Sequence, residues 1–126
     1  MHRHEVLVRA ALARLNEVND IEGYVDCCTD DVVFTSPLGV ARGKADFLAF
    51  HSTFELLSHR YARIERLLVS EDSVAVWSTS GGTVAATGGS FEVEACTIFE
   101  VRDDKLCAVT EYADVTAVLA AFETRA

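Results

Sequence analysis

Apolar residues recur at helical spacing in the first half of the chain. Residues 4–17 carry an apolar stripe at i, i+3, i+4 and i+7, which predicts an amphipathic helix. A second, shorter helix is predicted to follow the capping pair Asn19-Asp20 and to end at Cys28. Residues 43–57 are predicted to form a third helix. Its buried face is expected to carry the set Phe47, Phe50, His51 and Phe54.

Three strands are predicted from alternation of apolar and polar residues, because successive side chains of a strand point to opposite faces. The first is short: residues 32–36 follow a turn at 29–31 and end at Pro37, the only proline. Two more strands are predicted over residues 61–69 and 73–80.

A long hairpin over residues 93–114 follows these strands, with a strongly polar turn at 102–105. One face of its first strand carries Val93, Ala95, Thr97 and Phe99. In its second strand Thr110, Tyr112 and Asp114 share a face, and we expect that face to look into the interior. Residues 115–122 are predicted to form a short final helix.

Helices that come first and an antiparallel sheet that comes last predict an α+β domain, here a single domain over residues 1–126. Long strands that have to cover three helices will twist and curl. We therefore expect a cone-shaped, curved antiparallel sheet packed against three N-terminal helices, with an apolar pocket inside.

The composition limits the function. Half of the residues are hydrophobic, so the chain can bury a sizeable core, and the formal net charge is −9. No basic run interrupts the acidic background, which argues against binding to nucleic acid or to an anionic membrane surface. No apolar run is long enough to cross a bilayer.

The four cysteines are Cys27, Cys28, Cys96 and Cys107. Their spacing matches no zinc motif, so we expect no metal and no cofactor. Because an amphipathic helix pattern begins directly after the first residues, we expect no signal peptide. Reduced, buried thiols in a cytoplasmic protein are the expectation that follows.

Several runs in a fixed order resemble the nuclear-transport-factor-2-like superfamily, specifically its SnoaL-like polyketide cyclase and ketosteroid isomerase-like branch. The resemblance covers nearly the whole chain and implies a curved sheet around an apolar pocket. It is carried by residues 19–22, 30–34, 36–39, 42–43, 99–106 and 111–114.

The resemblance does not transfer ketosteroid isomerase activity. In those enzymes an Asp before the motif's proline is the general base, and Ser36 stands at that position here. The positions of their oxyanion-binding Tyr and Asp correspond to Leu12 and Thr97. All three polar roles are therefore missing.

A second branch of the superfamily, the limonene-epoxide hydrolases, shares one polar role with this chain. Their Asp at the end of the last strand corresponds to Asp114. Their partner Arg and second Asp correspond to Ser78 and Ser80, and their water-holding Tyr and Asn to Phe34 and Ser36. One of five roles therefore survives.

Two titratable residues are candidates for acid–base catalysis. Asp114 would trade protons near neutral pH if apolar surroundings raised its pKa; alternatively it caps the final helix. His51 lies on the aromatic face of the third helix, and its ordinary pKa suits proton transfer. The alternative for His51 is a buried or rim histidine bonded to backbone.

The remaining candidates would bind and position a substrate. Small hydroxyls on predicted inward faces could hold a carbonyl or water, and the aromatic residues suit a flat, apolar ligand; alternatively both groups only fill the core. The candidates are Tyr24, Phe34, Ser36, Phe50, Phe54, Ser78, Ser80, Thr97, Phe99, Thr110 and Tyr112.

We expect a protein that binds a small hydrophobic molecule in the cone, with possible cofactor-free acid–base chemistry such as cyclisation, isomerisation, or hydration of an epoxide or double bond. The alternative is a non-catalytic ligand-binding or dimerisation module of the same fold. Trp77 faces outward in the predicted register, which indicates a homodimer through the outer sheet face. A third interpretation is a subunit that assembles with a different partner through that face.

Overall fold

The computed structural model describes residues 2–123. Four α-helices and one 3-10 helix lie around a single six-stranded sheet. The helices are α1 (Arg3–Asn16), α2 (Ile21–Asp26), α3 (Gly43–His51), a 3-10 turn (Ser52–Leu56) and α4 (Thr116–Phe122). The strands are β1 (Cys28–Ser36), β2 (Gly39–Arg42), β3 (Leu57–Val69), β4 (Ser73–Val84), β5 (Ser90–Arg102) and β6 (Lys105–Ala113).

The strand order is β2-β1-β6-β5-β4-β3, and every pair is antiparallel except β1 with β6. The parallel pair brings the start of the chain beside its last strand, so the sheet joins both halves of the sequence. The α+β architecture, with three N-terminal helices packed against a curved sheet, confirms the predicted fold class.

The sheet bends where its pairing is interrupted. The register shifts once within the β1–β6 pair, twice within β3–β4 and once within β5–β6. His59, in the first β3 interruption, has a positive φ of 52°. Bulges of this kind kink a strand and increase its twist, which gives the sheet the concave face that the helices cover.

The core lies between that concave face and the helices. The α1 stripe Val8, Ala11 and Leu15 is buried, as its spacing predicts. It packs in one cluster with Tyr24 and Phe47 and with apolar residues of β1, β4, β5 and β6. Within residues 2–123, no helix has the length and hydrophobicity needed to span a membrane.

The predicted polar hairpin turn is present. Asp103 and Asp104 both have positive φ, at 53° and 59°, the signature of the two-residue turn that matches the twist of antiparallel strands. Arg102 donates to Asp31 of β1 at 2.6 Å, so the base of this turn is tied to the first strand.

Several predicted boundaries were wrong. Residues 29–31 belong to β1 and not to a turn; they lie in the bulge between Cys28 and Val33, which pair with Leu106 and Ala108 of β6 on either side of it. Strand β2 was not predicted. The second helix ends at Asp26, and the third α-helix ends at His51, where a 3-10 turn replaces its predicted last residues.

The turn between β4 and β5 anchors α4 over the sheet. The Thr87 hydroxyl donates to the carbonyl oxygen of Ala121 at 2.6 Å and accepts from the amide of Gly89 at 3.1 Å. A Cβ atom on Gly89 would lie within 3.0 Å of the Ala121 backbone, so only glycine permits this approach.

We expect Gly89→Ala to lower the free energy of unfolding by about 1–3 kcal/mol, because the added methyl displaces α4 from the turn. Urea unfolding measures the change. Gly82→Ala is the matched control: the nearest atoms to its Cβ lie at 3.5 Å, so the methyl fits without displacement. Equal effects of both substitutions would contradict the close-approach argument.

Candidate functional site

A cavity of about 220 Å³ lies between the concave face of the sheet and helices α1, α3 and α4. A recess of about 50 Å³ adjoins it between α1 and strands β3 to β5. Most of the cavity wall is apolar or aromatic. Nine of the predicted site residues line it: Tyr24, Phe34, Phe50, His51, Phe54, Ser78, Ser80, Thr97 and Phe99.

The predicted inward face of the last strand was wrong. Val109, Glu111 and Ala113 line the cavity, whereas Thr110 and Tyr112 do not. Tyr112 is 60% exposed on the outer face of the sheet.

The reason for this inversion is the bulge in the β5–β6 hairpin. Arg102 pairs with Lys105 and Val101 with Leu106, but Glu100 pairs with Ala108, so Cys107 is the extra residue. Unbroken pairing from the turn would place Thr110 opposite Thr97. The shift by one residue places Glu111 there instead, and it turns every later side chain of β6 to the other face.

Asp114 does not overlook the cavity, contrary to the expectation. It is exposed, and its carboxylate accepts from the amide of Thr116 at 3.0 Å and from the Thr116 hydroxyl at 2.6 Å. These hydrogen bonds hold the pKa of Asp114 below its ordinary value. The carboxylate thus bonds to the first residue of α4, whereas the N-cap position itself is held by Val115, which makes no side-chain capping bond.

Ser36 also lies outside the cavity. Its hydroxyl accepts from the amide of Leu38 at 3.1 Å and donates to the carbonyl of Gly39 at 3.4 Å, so it supports the turn between β1 and β2. Serine at the first position of a turn, proline at the second and glycine at the fourth is a typical turn sequence, and the local bonds of the hydroxyl satisfy it there.

Glu111 is the carboxyl group that the cavity contains. It is half-buried opposite Thr97, and its side chain makes no hydrogen bond or ion pair with residues 2–123. Burial raises the pKa of Glu111 above its ordinary value. Both carboxyl oxygens lack a hydrogen-bond partner among residues 2–123 but are not fully enclosed, so a ligand in the cavity can reach them.

Tyr24 is a second polar group on this wall. Its ring is buried, and burial, with smaller effects of the Cys28 thiol and the Glu111 carboxyl group, raises the pKa of its phenol well above the ordinary value. The phenol is therefore neutral and able to donate a hydrogen bond. Its oxygen has no partner among residues 2–123 and is not fully enclosed.

His51 lies in an aromatic cage and is only 4% exposed. Five ring centroids lie 4.5–5.4 Å from its own: those of Tyr24, Phe34, Phe47, Phe50 and Phe54. Burial lowers the pKa of His51 to about 4, against the raising effect of its bond to the Phe47 carbonyl; nearby Arg60 lowers it further.

The hydrogen bond of His51 assigns its tautomer. Nδ1 lies 3.1 Å from the Phe47 carbonyl oxygen, which can only accept, so Nδ1 carries the proton. Nε2 is then a bare acceptor, and it faces the cavity without a partner among residues 2–123. His51 thus has the geometry of the second alternative, a buried histidine bonded to backbone, and it also lines the cavity.

Arg60 of β3 is the cation in the cavity wall, and the sequence analysis missed it. Its guanidinium donates to the side-chain oxygens of Asn16 at 2.9 Å and Asn19 at 2.8 Å, and to the Leu15 carbonyl. The group also lies 4.8 Å from the ring centroid of Phe54. Its place on the inward face of β3, in step with Ala62, was the available signal.

The four cysteines of the chain are free. Only Cys28 is fully buried, where burial raises the pKa of its thiol to about 12. Cys96 is exposed on the outer sheet face, so the expectation that all four are buried was wrong. Residues 2–123 contain no cluster of His, Cys, Asp or Glu grouped as metal ligands would be.

Solved structures show that this chain has the NTF2-like cone fold. An NTF2-like protein from Burkholderia pseudomallei superposes with a TM-score of 0.88 and 16% identity, covering 98% of this chain and 100% of that one. A ketosteroid isomerase-like protein from Catenulispora acidiphila, solved with trimethylamine, gives a TM-score of 0.80 and 17% identity, covering 94% and 93%.

A candidate SnoaL-like polyketide cyclase from Jannaschia also superposes, with a TM-score of 0.80 and 17% identity, covering 96% of this chain and 94% of that one. The family model described as a SnoaL-like domain matches residues 8–109. The chain therefore belongs to the SnoaL-like domain family, and the predicted resemblance is confirmed. No curated protein matches it in sequence.

The neutral His51 predicts a specific pH dependence of stability. Above its ordinary pKa of 6.5 the residue is neutral in both states, so its contribution is complete. As the pH falls from 6.5 to 4, His51 binds a proton in the unfolded chain but stays neutral in the folded one. We expect this to remove about 3 kcal/mol of unfolding free energy at acid pH.

Urea unfolding at pH 7, 5.5 and 4 measures this slope, and His51→Gln should flatten it by that amount relative to the unsubstituted chain. His59→Gln is the control, because His59 is exposed. An unchanged slope in His51→Gln would show that the cage admits the charged form.

Proposed function

We propose that this protein binds a small hydrophobic molecule in the cone and transfers protons to or from it without a cofactor, with Glu111 as the proton carrier. The observation that carries the proposal is a single carboxyl group, without a protein partner among residues 2–123, in the wall of an otherwise largely apolar cavity.

The size of the cavity supports a compact ligand. A cavity of about 150 Å³ is enough to bind benzene. The volume here, about 220 Å³, suits a molecule of one or two rings, and the aromatic wall favours a flat one. The adjoining recess would admit a short substituent.

The chemistry follows from the state of Glu111. Burial raises the pKa of Glu111, which makes its carboxylate a stronger base than an exposed one, and a carboxyl group in the cavity wall can take a proton from a ligand and return it. Tyr24 and Thr97 lie beside it as neutral donors for a developing oxyanion. Isomerisation and cyclisation need only these elements, and hydration of an epoxide or double bond needs in addition a water molecule from the solvent as the nucleophile.

In this proposal His51 does not carry the proton, contrary to the expectation from the sequence. With a pKa of about 4 it is a weak base, so we assign it a positioning role. Its bare Nε2 accepts a hydrogen bond from a ligand hydroxyl. Phe34, Phe50, Phe54 and Phe99 bind the rings, and Ser78 and Ser80 provide hydroxyl groups at the cavity wall.

The alternative is a non-catalytic binding module of the same fold. At four positions where the related enzymes carry catalytic side chains, this chain has uncharged residues: Leu12, Ser78, Ser80 and Thr97. Their lack of charge favours the binding module. The similar solved structures do not choose between the two functions, because likeness at 16–17% identity concerns the fold.

We also propose that the protein is a homodimer through its outer sheet face. Trp77 is 46% exposed there and is paired with exposed Cys96, which is paired with Tyr112. On β3 the residue opposite Trp77 is Arg66, and exposed Leu68 lies two residues further along the same face. A patch of this kind on an acidic protein is typical of an interface.

Free cysteines agree with a cytoplasmic location, where thiols stay reduced.

The catalytic proposal is tested with 2-tetralone, a two-ring ketone whose α-protons exchange by acid–base chemistry alone. We expect the protein to accelerate deuterium incorporation in D₂O, followed by proton NMR, and Glu111→Gln to reduce that acceleration by about a hundredfold or more. Asp114→Asn is the control and should keep the full rate, since Asp114 lies outside the cavity.

The same variant reports on folding. A raised folded-state pKa means that the contribution of Glu111 is complete below its ordinary pKa and is lost as the pH rises. Glu111→Gln should therefore be more stable than the unsubstituted chain at pH 7.

Binding of 2-tetralone without accelerated exchange would favour the non-catalytic module, and no binding would contradict both functions.

The dimer is tested by light scattering on a sizing column. We expect a dimeric mass for the unsubstituted chain and a monomeric mass for Trp77→Lys, because a charge in the patch would be desolvated at the interface. Val18→Lys adds the same charge at an exposed apolar site between α1 and α2, away from the sheet, and should remain dimeric. A monomeric unsubstituted chain would refute the interface.

A further inference from the structure

Arg60 is an unusual cation in this protein because it is neither exposed nor paired with a carboxylate. Among residues 2–123, Arg42, Arg66 and Lys105 also lack an ion pair, but all three are exposed, so water solvates their charge. Arg60 is half-buried in the wall of the cavity.

The hydrogen bonds of Arg60 orient its charge without neutralising it. Its three acceptors, the side chains of Asn16 and Asn19 and the Leu15 carbonyl, are all uncharged. Leu15 lies in the last turn of α1, so the helix end compensates only part of the charge. Of the five N–H groups of an arginine, two remain without an acceptor: Nε–H and one on Nη1.

Burial lowers the pKa of Arg60, the direction expected where no anion offsets a buried cation. Arg63 and Arg102 show the opposite behaviour, because Glu65 and Asp31 pair with them and raise their pKa values. The chain has a net charge of −9, yet no carboxylate of residues 2–123 pairs with Arg60. The guanidinium can therefore bind the anionic group of a ligand.

The position of Arg60 relative to Glu111 sets the shape of such a ligand. Strands β3 and β6 are separated by β4 and β5, and the row of Glu111 crosses the sheet to Leu67, seven residues along β3 from Arg60. The two residues are therefore displaced both across the strands and along them. They do not form an ion pair. The cavity therefore has a cationic edge and a carboxyl edge, with the aromatic wall between them.

We propose that the ligand of this cavity is an aromatic-sized molecule with an anionic oxygen group, such as a carboxylate or an enolate, and that Arg60 receives that group. The proposal rests on the cavity-binding part of the proposed function and narrows its substrate class. The anion would sit at the β3 edge, and the atom that exchanges a proton would face Glu111 on β6.

The competing explanation is structural: Arg60 would only tie the end of α1 to β3. A matched pair of two-ring probes separates the two explanations, because 2-naphthoate and 2-naphthamide have the same shape and differ in charge. Calorimetric titration at pH 7.5 should show 2-naphthoate binding about ten- to a hundredfold more tightly than 2-naphthamide, the range expected of a charge-assisted hydrogen bond.

Arg60→Gln should bring the ratio of the two dissociation constants close to one and leave 2-naphthamide binding unchanged. Arg66→Gln removes the same charge from the same strand at an exposed position and should keep the preference. If Arg60→Gln does not fold, the ratio in the unsubstituted chain still decides, and raised salt should reduce it.

Equal affinity for the two probes, or a preference that survives in Arg60→Gln, would overturn the proposal. Binding of 2-naphthamide without any preference for 2-naphthoate would overturn the role of Arg60 alone and leave the proposed function intact. Failure of both probes and of 2-tetralone to bind would overturn the inference together with the proposed function.

Discussion

The pairing of β5 with β6 determines which chemistry the cavity holds. Because strand side chains alternate with a period of two, the single extra residue at Cys107 decides whether Glu111 or Thr110 faces Thr97. Backbone hydrogen bonds on both sides of the bulge hold this choice, and so does the parallel pairing of β6 with β1, where Phe34 lies opposite Val109. The carboxyl group of the site is thus a consequence of strand register.

The aromatic cage of His51 imposes a second constraint. Phe34 stacks on Phe47 with ring centroids 5.2 Å apart, and both rings contribute to the apolar surroundings of the imidazole. In such surroundings the charged form is the costly one, so the residue is held neutral, and the bond to the Phe47 carbonyl selects its tautomer. Packing therefore turns a residue that usually switches near neutral pH into a fixed acceptor.

Most of the fold could be predicted from the sequence, because the α1 stripe and the alternating strands depend on short-range periodicity. What failed depends on distant pairing. Residues 29–31 look like a turn by composition, yet β6 pairs with their strand. The aromatic half of the site was predicted because helix spacing fixes it.

The charged half of the site was not predictable by these means. No local pattern marks the bulge near Val101, so Asp114 was assigned the place that Glu111 occupies. Arg60 was missed because its strand begins four residues earlier than predicted, at Leu57, where pairing with β4 continues past a bulge.

The fold places both groups that would carry function in partly desolvated surroundings. Glu111 is held in apolar surroundings without a donor, and Arg60 is partly desolvated without an anion. Both arrangements cost folding free energy that an uncharged side chain would not, and the tightly packed cluster around Phe47 and Phe99 offsets that cost. A ligand that accepts a bond from Arg60 and shares a proton with Glu111 would relieve both at once. That coupling is the physical reason to seek one bifunctional ligand rather than two separate ones.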